Sequence, residues 1–466
     1  FYKDLFFIFW VYCLTMFQSK SSILFKLLLS AAVLGGFQGN AYAQTLEDAV
    51  GNALASHPSA EAALATLNAS KEQKKEAFSR YFPQVSMNAS FGRVYGDNAT
   101  SRGLSVTRGA GYSGLGEGSV TVSQLIFDGM ETPNRVDAAR ARAQSAGADI
   151  VDVRESLAYR AVQSYMDVIR TQRGLAMITE HAALVQDYLA RIRNMVDEGA
   201  SDETELQQAR DIRIILEGIQ AEYEGQAEAA KARYYEVTGT DLPDTMSEPP
   251  GKEFAMPKAL SQAVTRAEQE HPSIVSARLE SKAASHDVEA EVGTLYPDVN
   301  GEVSYLKSDK ADIIGGEVID ARALVRMTWN FSTGGEQFAR IRRSKYSQEE
   351  SYARMRELQR QIVQNVKLAY NEYNTSKRQL DLLGKRQELN EKLFATYQSQ
   401  FEGARVNLLQ LMQAHNQLFN TNLEKLNGHY RYLASQYGVL ASMGQLQAAL
   451  SAQSPKDVSS AEHESK

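Results

Sequence analysis

Hydrophobic positions along this chain recur with two different periods. Ile362, Val366, Ala369, Tyr373, Ser376, Leu380 and Leu383 follow a 4-3-4-3 spacing, the seam of a coiled coil, and Ala158, Val162, Tyr165 and Ile169 repeat it earlier. The spacing predicts nearly continuous helices over 134–198 and 336–402, each about 100 Å long at ~1.5 Å per residue. Small residues and tyrosines occupy this seam alongside leucine. Close helix packing is therefore expected, but not a simple two-stranded zipper.

Elsewhere the period is two. Val85, Met87, Ala89 and Phe91 alternate with Gln84, Ser86, Asn88 and Ser90. Val299, Val303 and Tyr305 alternate with Asn300, Glu302 and Ser304, and Val325, Met327, Trp329 and Phe331 with Leu324, Arg326, Thr328 and Asn330. Each run reads as a strand with one apolar and one polar face. Segment 119–127 is also strand-like, with its inward face undecided by pattern. Gly-rich stretches 107–118 and 315–316 are predicted to be the loops joining each strand pair. This alternation suits a membrane barrel with a wet lumen, and equally an antiparallel sheet packed on a soluble core. On the first reading Val85, Met87, Phe91, Val303, Tyr305, Val325, Met327, Trp329 and Phe331 face lipid. Four strands cannot close a barrel, since a side-chain-filled one already takes about eight. A membrane-crossing sheet would have to be shared between subunits.

The pattern is written twice. Residues 46–90 and 260–304 align without a gap, and Leu46, Ala49, Val50, Ala53, His57, Pro58, Ser59, Pro83 and Val85 recur as Leu260, Ala263, Val264, Ala267, His271, Pro272, Ser273, Pro297 and Val299. A repeat of this length makes each half one structural unit, packed against its pseudo-equivalent. Proline, the strongest helix breaker, is absent from 134–242 and 298–454. The expected division is a first repeat over 44–242, a Pro-rich linker over 243–258, a second repeat over 259–451, and a polar, disordered tail over 452–466.

Residues 1–43 read as a targeting segment. From Met16 the chain runs through Lys20 and Lys26 to an apolar stretch, Leu27–Gly36, and then Ala41-Tyr42-Ala43. That is a secretory signal cleaved after Ala43, with residues 1–15 expected to lie upstream of the true start. The one cysteine, Cys13, falls inside it. The exported chain then lacks disulfides, Cys-ligated metal and a lipid-modified cysteine. No later apolar run reaches transmembrane-helix length, so membrane entry is expected as β-strands. The net charge of −7 without a basic block argues against nucleic acid as a partner.

Enzyme chemistry is missing from the sequence. There is no Gly-rich dinucleotide loop, P-loop, nucleophile elbow or His-Glu-x-x-His motif. None of the seven histidines forms an i, i+4 pair; His57 and His271 each precede the repeated proline and read as capping or packing residues. No catalytic residue, metal site or cofactor is expected.

Three further motifs bring the pattern to a known family. They are the Tyr/Phe-Pro-x-Val entry to a strand, the Gln-Leu-Ile-Phe-Asp-Gly exit at 124–129 with a weaker copy at 330–335, and the segment Phe401-Glu402-Gly403-Ala404-Arg405-Val406-Asn407-Leu408-Leu409-Gln410-Leu411-Met412-Gln413-Ala414-His415-Asn416. Over essentially the whole expected mature chain the sequence resembles the TolC family of outer-membrane efflux proteins, exit ducts of tripartite pumps and type I secretion systems in Gram-negative bacteria. The resemblance implies a mainly α fold with membrane β: a long coiled-coil helical barrel, plus four strands per protomer in a shared, homotrimeric, twelve-stranded transmembrane barrel. It also implies outer-membrane lipid, a periplasmic adaptor and an inner-membrane ABC or RND-type transporter as partners.

The resemblance places the periplasmic tip, or gate, at Thr204, Glu205 and Arg210 in the first half and at Phe401, Arg405, Gln410 and Gln413 in the second. Here the chain departs from the family pattern. Gln410 and Gln413 stand where two acids are usual, Val406 where a basic residue often sits, and Gly403-Ala404 reverses the usual order of small residues. A tip with less negative charge, held more by amides than by ion pairs, is expected. The Leu-Leu-x-Leu-x-x-Ala-x-Asn form of the signature leans toward type I protein secretion, with multidrug efflux close behind. The alternative to a duct is a periplasmic coiled-coil adaptor or scaffold without a pore.

Overall fold

The computed structural model describes residues 43–96, 111–252, 255–310, 317–330 and 332–451. Most of the targeting segment, Phe331, the loop residues 315–316 and the tail from 452 lie outside the described residues.

Each repeat runs through the same six elements. The first has α1 (Leu46–Ser56), α2 (Pro58–Ser79), β1 (Gln84–Gly96), β2 (Gly111–Phe127), α3 (Glu131–Asp197) and α4 (Glu203–Thr238). The second has α5 (Leu260–Glu270), α6 (Pro272–Gly293), β3 (Asp298–Lys310), β4 (Val318–Thr328), α7 (Glu336–Glu402) and α8 (Leu408–Ser442), followed by a short α9 (Leu446–Ser451). The predicted long helices are α3 and α7, of 67 residues each. The proline repeat has a local cause. His57 and His271 are the N-caps of α2 and α6, their Nδ1 atoms accepting the N–H of Ser59 and Ser273 at 3.1 and 3.3 Å, with Pro58 and Pro272 in the first turn.

The four strands form one antiparallel sheet in chain order. Register settles the face of β2 that pattern left open. Val120 and Val122 lie opposite Met87 and Val85 on one side and opposite Tyr305 and Val303 on the other, so all six share a face. Val325 and Met327 join that face through Gly301 and Val299. Ser86, Asn88, Thr121, Ser304 and Arg322 occupy the opposite face.

Two strand expectations are corrected. Residues 111–118 are not loop but the first part of β2. Gly114, Gly116 and Gly118 lie opposite Arg93, Phe91 and Ala89, and the space left at Gly116 is covered by the Phe91 ring, 3.7 Å from where a Cβ would stand. A glycine run can thus serve a strand when a large side chain lies across it. β4 ends at Thr328, so Trp329 lies beyond it, half-exposed, with its indole N–H donating to the Leu295 carbonyl at 3.1 Å.

The helices line up side by side in two tiers. Toward the sheet the order is α2, α3, α6, α7; toward the far end it is α4, α3, α8, α7. α3 is central in both tiers and buries residues along nearly its full length, whereas α7, equally long, buries only Ile341, Ile362, Val366 and Ser376, and α2 none. The protomer thus has two open edges: β1, α2 and α4 on one side, β4 and α7 on the other. Both carry exposed apolar side chains, Leu64, Phe78, Ile214 and Ile215 on the first and Phe338, Leu368, Leu382, Leu389 and Leu393 on the second.

Between the tiers, buried tyrosines fix the inter-repeat segment and Gln44, just before α1. Tyr165 Oη donates to the Gln44 and Ser247 carbonyls at 2.7 Å each, and Tyr437 Oη to the Pro250 carbonyl at 2.6 Å. Tyr234 Oη reaches Gln44 Oε1 at 2.6 Å, and Tyr430 Oη reaches the Glu248 carboxylate at 3.1 Å. A ring buries its apolar body in the core while its hydroxyl satisfies a carbonyl, which leucine could not do.

Candidate functional site

The far end is built from two helical hairpins whose turns are homologous. In the first, Gly199 is left-handed (φ +71°) and the Ala200 N–H reaches back to the Met195 carbonyl at 2.7 Å. In the second, the same backbone path puts Ala404 at φ +50°, with the Arg405 N–H on the Gln400 carbonyl at 2.8 Å. The reversed Gly403-Ala404 order therefore leaves a Cβ in the conformation that glycine serves in the first repeat. Ala404→Gly should raise stability by about 1 kcal/mol, since nothing but the left-handed strain is removed. Thermal unfolding of the detergent-solubilised protein checks this, and a lowered midpoint would contradict it.

Asn407 caps α8. Its Oδ1 accepts the Gln410 N–H at 2.8 Å, and its own N–H donates to Gln410 Oε1 at 3.2 Å, a reciprocal capping box. Its Nδ2 donates to Glu205 Oε1 of the first hairpin, whose other oxygen accepts Ser201 Oγ at 2.5 Å. Glu205 and Gln410 are thus brought together through Asn407. Arg210 makes a long, exposed pair with Glu203 at 3.9 Å, and Thr204 Oγ1 donates to Asp202 Oδ1 at 3.4 Å. Phe401 packs partly buried against the apolar cluster of Leu206, Ala209, Leu408 and Met412, while Arg405 and Gln413 are exposed. The capping role of Asn407 has a sequence signal, an Asn followed by Gln three residues later at a helix start.

A second cluster had no sequence signal. His181 of α3 and His415 of α8 stand edge to face with ring centroids 5.1 Å apart, although far separated in the chain. His181 stacks on Phe419 at 4.0 Å and His415 on Phe394 at 4.6 Å. Burial holds the His181 imidazole down to about 4 and pushes His415 below the usual histidine range, where Glu180 partly opposes it.

At the sheet end, the polar face holds ion pairs of its own. Arg326 Nε donates to Glu302 at 2.8 Å across β3 and β4, and Arg322 pairs with Asp320 along β4. Among the described residues no helix is long and apolar enough to cross a membrane, and no cluster of His, Cys, Asp or Glu could hold a metal ion.

An apolar-outside sheet continuous with long helices that end in two linked hairpins defines a class of protein, the envelope channel with a helical extension. Comparison places the chain within that class. The outer membrane efflux protein family matches over residues 49–240 and 263–445, one match in each repeat. The outer membrane efflux protein BepC of Brucella suis is 27% identical over 335 residues, covering 71% of this chain and 70% of BepC. The outer membrane channel CmeC of Campylobacter jejuni shares the fold with a TM-score of 0.76 at 17% identity, covering 86% of each chain. The open state of the MtrE outer membrane channel of Neisseria gonorrhoeae does so at 0.72 and 14% identity, covering 86% of this chain and 89% of MtrE. The chain belongs to the outer membrane efflux protein family. It is an outer-membrane exit duct reaching into the periplasm, from a family of channels rather than enzymes, and the reading as an adaptor without a pore falls away.

Proposed function

We propose that three copies close head to tail into one duct, with Val85, Met87, Phe91, Val303, Tyr305, Val325 and Met327 against lipid and the hairpin tips as its periplasmic gate. The observation that carries this is the pair of unlike open edges running the whole length of the protomer. β1, α2 and α4 of one copy meet β4 and α7 of the next, a heterologous contact that forms a ring. Three sheets of four strands then give a barrel wide enough for a lumen, where one sheet cannot close. The apolar edge residues Ile214 and Ile215 face burial against Leu389 and Leu393, which sit at a similar number of residues from their own hairpin turn. The division into two repeats and an inter-repeat linker is part of the same proposal.

The duct is passive. A periplasmic adaptor and an inner-membrane ABC or RND-type transporter engage the tip and supply the energy, and the cargo is a secreted protein or small molecules. Light scattering on detergent extracts of outer membrane tests the ring: a mass of three chains is expected, and a monomer or dimer would refute it.

The tip's charge can be tested separately. Gln410→Asp/Gln413→Asp is expected to make the channel several-fold more cation-selective, by adding two carboxylates per copy to a pore ring. The helix start should survive, because Asp48 already fills the equivalent capping position in α1. Reversal potentials in a salt gradient read the effect; a wild type more cation-selective than the variant would sink it.

A further inference from the structure

We infer that His181 and His415 form a proton-operated latch, which holds the second hairpin against α3 at neutral pH and releases it in acid. The inference rests on the tip being the closable end of the duct, as proposed above. It starts from placement. The two rings belong to different repeats and meet across the α3–α8 contact, the junction by which the second hairpin is held to the first. A hairpin that swings away must pull these rings apart.

The stack is one for neutral imidazoles. His181 is 3% exposed, lies nearly parallel to Phe419 with 6° between the planes, and has Nε2 3.3 Å from Asn416 Oδ1. His415 lies between Phe394 of α7 and Tyr188 of α3, whose hydroxyl is 3.4 Å from Nδ1. Protonating both rings would set two cations about 5 Å apart in an apolar layer, where their repulsion is weakly screened.

α3 supplies Glu180, which draws His415 toward its charged form, and Tyr188, itself acted on by Arg191 and Asp187. α4 supplies Tyr223 and α7 supplies Tyr397, both within the same apolar cluster. Glu180 favours the charged form of His415 and the Asn416 side chain that of His181, but for both rings burial is the larger effect.

The direction of the pH response follows from linkage. A released, solvated imidazole titrates near 6.5, whereas burial holds His181 down to about 4. A depressed value means that latch stability is complete above about pH 6.5 and is lost progressively as pH falls toward about 4. Over that window each pH unit favours the released state by up to roughly tenfold through His181 alone.

The test uses the full-length protein in planar lipid bilayers, reading the fraction of time open at about pH 7.5 and about pH 5. Wild type is expected to gain roughly tenfold or more in open fraction on acidification. His181→Phe, which keeps the aromatic stack on Phe419 but carries no proton, should conduct like wild type at the higher pH and gain less than about threefold at the lower. His415→Phe should reduce the acid response as well, and serves if His181→Phe does not assemble. A wild type that conducts with a pH-independent open fraction would overturn the latch and leave the duct standing. So would histidine variants that open in acid as fully as wild type, since tip carboxylates would then account for the response. Absence of conductance at both pH values in every protein would overturn the latch, which requires acid alone to open the tip, while the trimer mass tests the ring separately.

Discussion

Gly129→Ala is expected to lower the stability of the assembled protein by about 3 kcal/mol or more. Gly129 closes the Gln-Leu-Ile-Phe-Asp-Gly exit from β2 and sits at φ +65°, where an L-residue costs about 1–2 kcal/mol. A Cβ there would also collide with the Gly293 carbonyl oxygen and stand 2.7 Å from Tyr296 Cβ. Gly293 cannot yield, because its own backbone lies against Gly129 and Glu131: a Cβ on it would meet the Gly129 oxygen and the Glu131 nitrogen at 2.9 Å each. Two chain segments cross here with no side chain between them, and they join the sheet to α3 and α6.

The other repeat supplies the control. Gly335, which caps α7 as Met130 caps α3, has φ +71° but open space around it. Gly335→Ala should therefore cost only about 1 kcal/mol. Met130→Gly should gain about as much, because Met130 already bears left-handed strain at φ +70°. Thermal midpoints of the three variants, measured side by side in detergent, check the ordering. Equal losses for Gly129→Ala and Gly335→Ala would show that the backbone crossing is not the constraint.

Glu205→Ala is expected to shift the closed-to-open balance of the tip roughly tenfold toward open, about 1.4 kcal/mol. Its carboxylate accepts from Ser201 within its own hairpin and from Asn407 in the other, and charge-assisted bonds of this kind are worth about 1.5–3 kcal/mol when sheltered. Partial exposure reduces that figure, so the sum of the two is set near the value of one. Asn407→Ala should open the tip too, and additionally lose about 1 kcal/mol of helix capping. If the Glu205–Asn407 bond is what joins the hairpins, the double variant should open the channel far less than the two single effects combined predict. Single-channel recordings give the open fractions. Strict additivity would mean that the two residues act on the tip separately.

Much of this architecture was legible because it is periodic. The 4-3-4-3 seam located α3 and α7 nearly to their ends, and alternation located the apolar face shared by β1, β3 and β4. Patterning failed where glycine was ambiguous. Residues 111–118 look like a loop because glycine is poor strand material on its own, and only the partner strand shows that Phe91 fills the gap. Trp329 and the strand positions before it share one alternating run, but the hydrogen-bond ladder stops at Thr328, which no periodicity marks. At the tip, the motif pointed to Glu205 and Gln410, yet the residue joining them, Asn407, is identified by a local capping signature rather than by charge. His181 and His415 meet through tertiary packing between helices of different repeats, and no spacing along a chain encodes that distance.

The unlike edges of the protomer have a genetic consequence. In a ring of three, each chain must satisfy a neighbour on both sides, and a chain with one spoiled edge still offers the other. Co-expressed in equal amounts with the normal allele, and drawn at random into rings, such a chain would leave only about one ring in eight wholly normal. Substitutions at Ile214 or Leu389 that spare folding should accordingly behave as dominant. A chain that fails to fold, by contrast, never enters a ring, and its loss should behave as recessive.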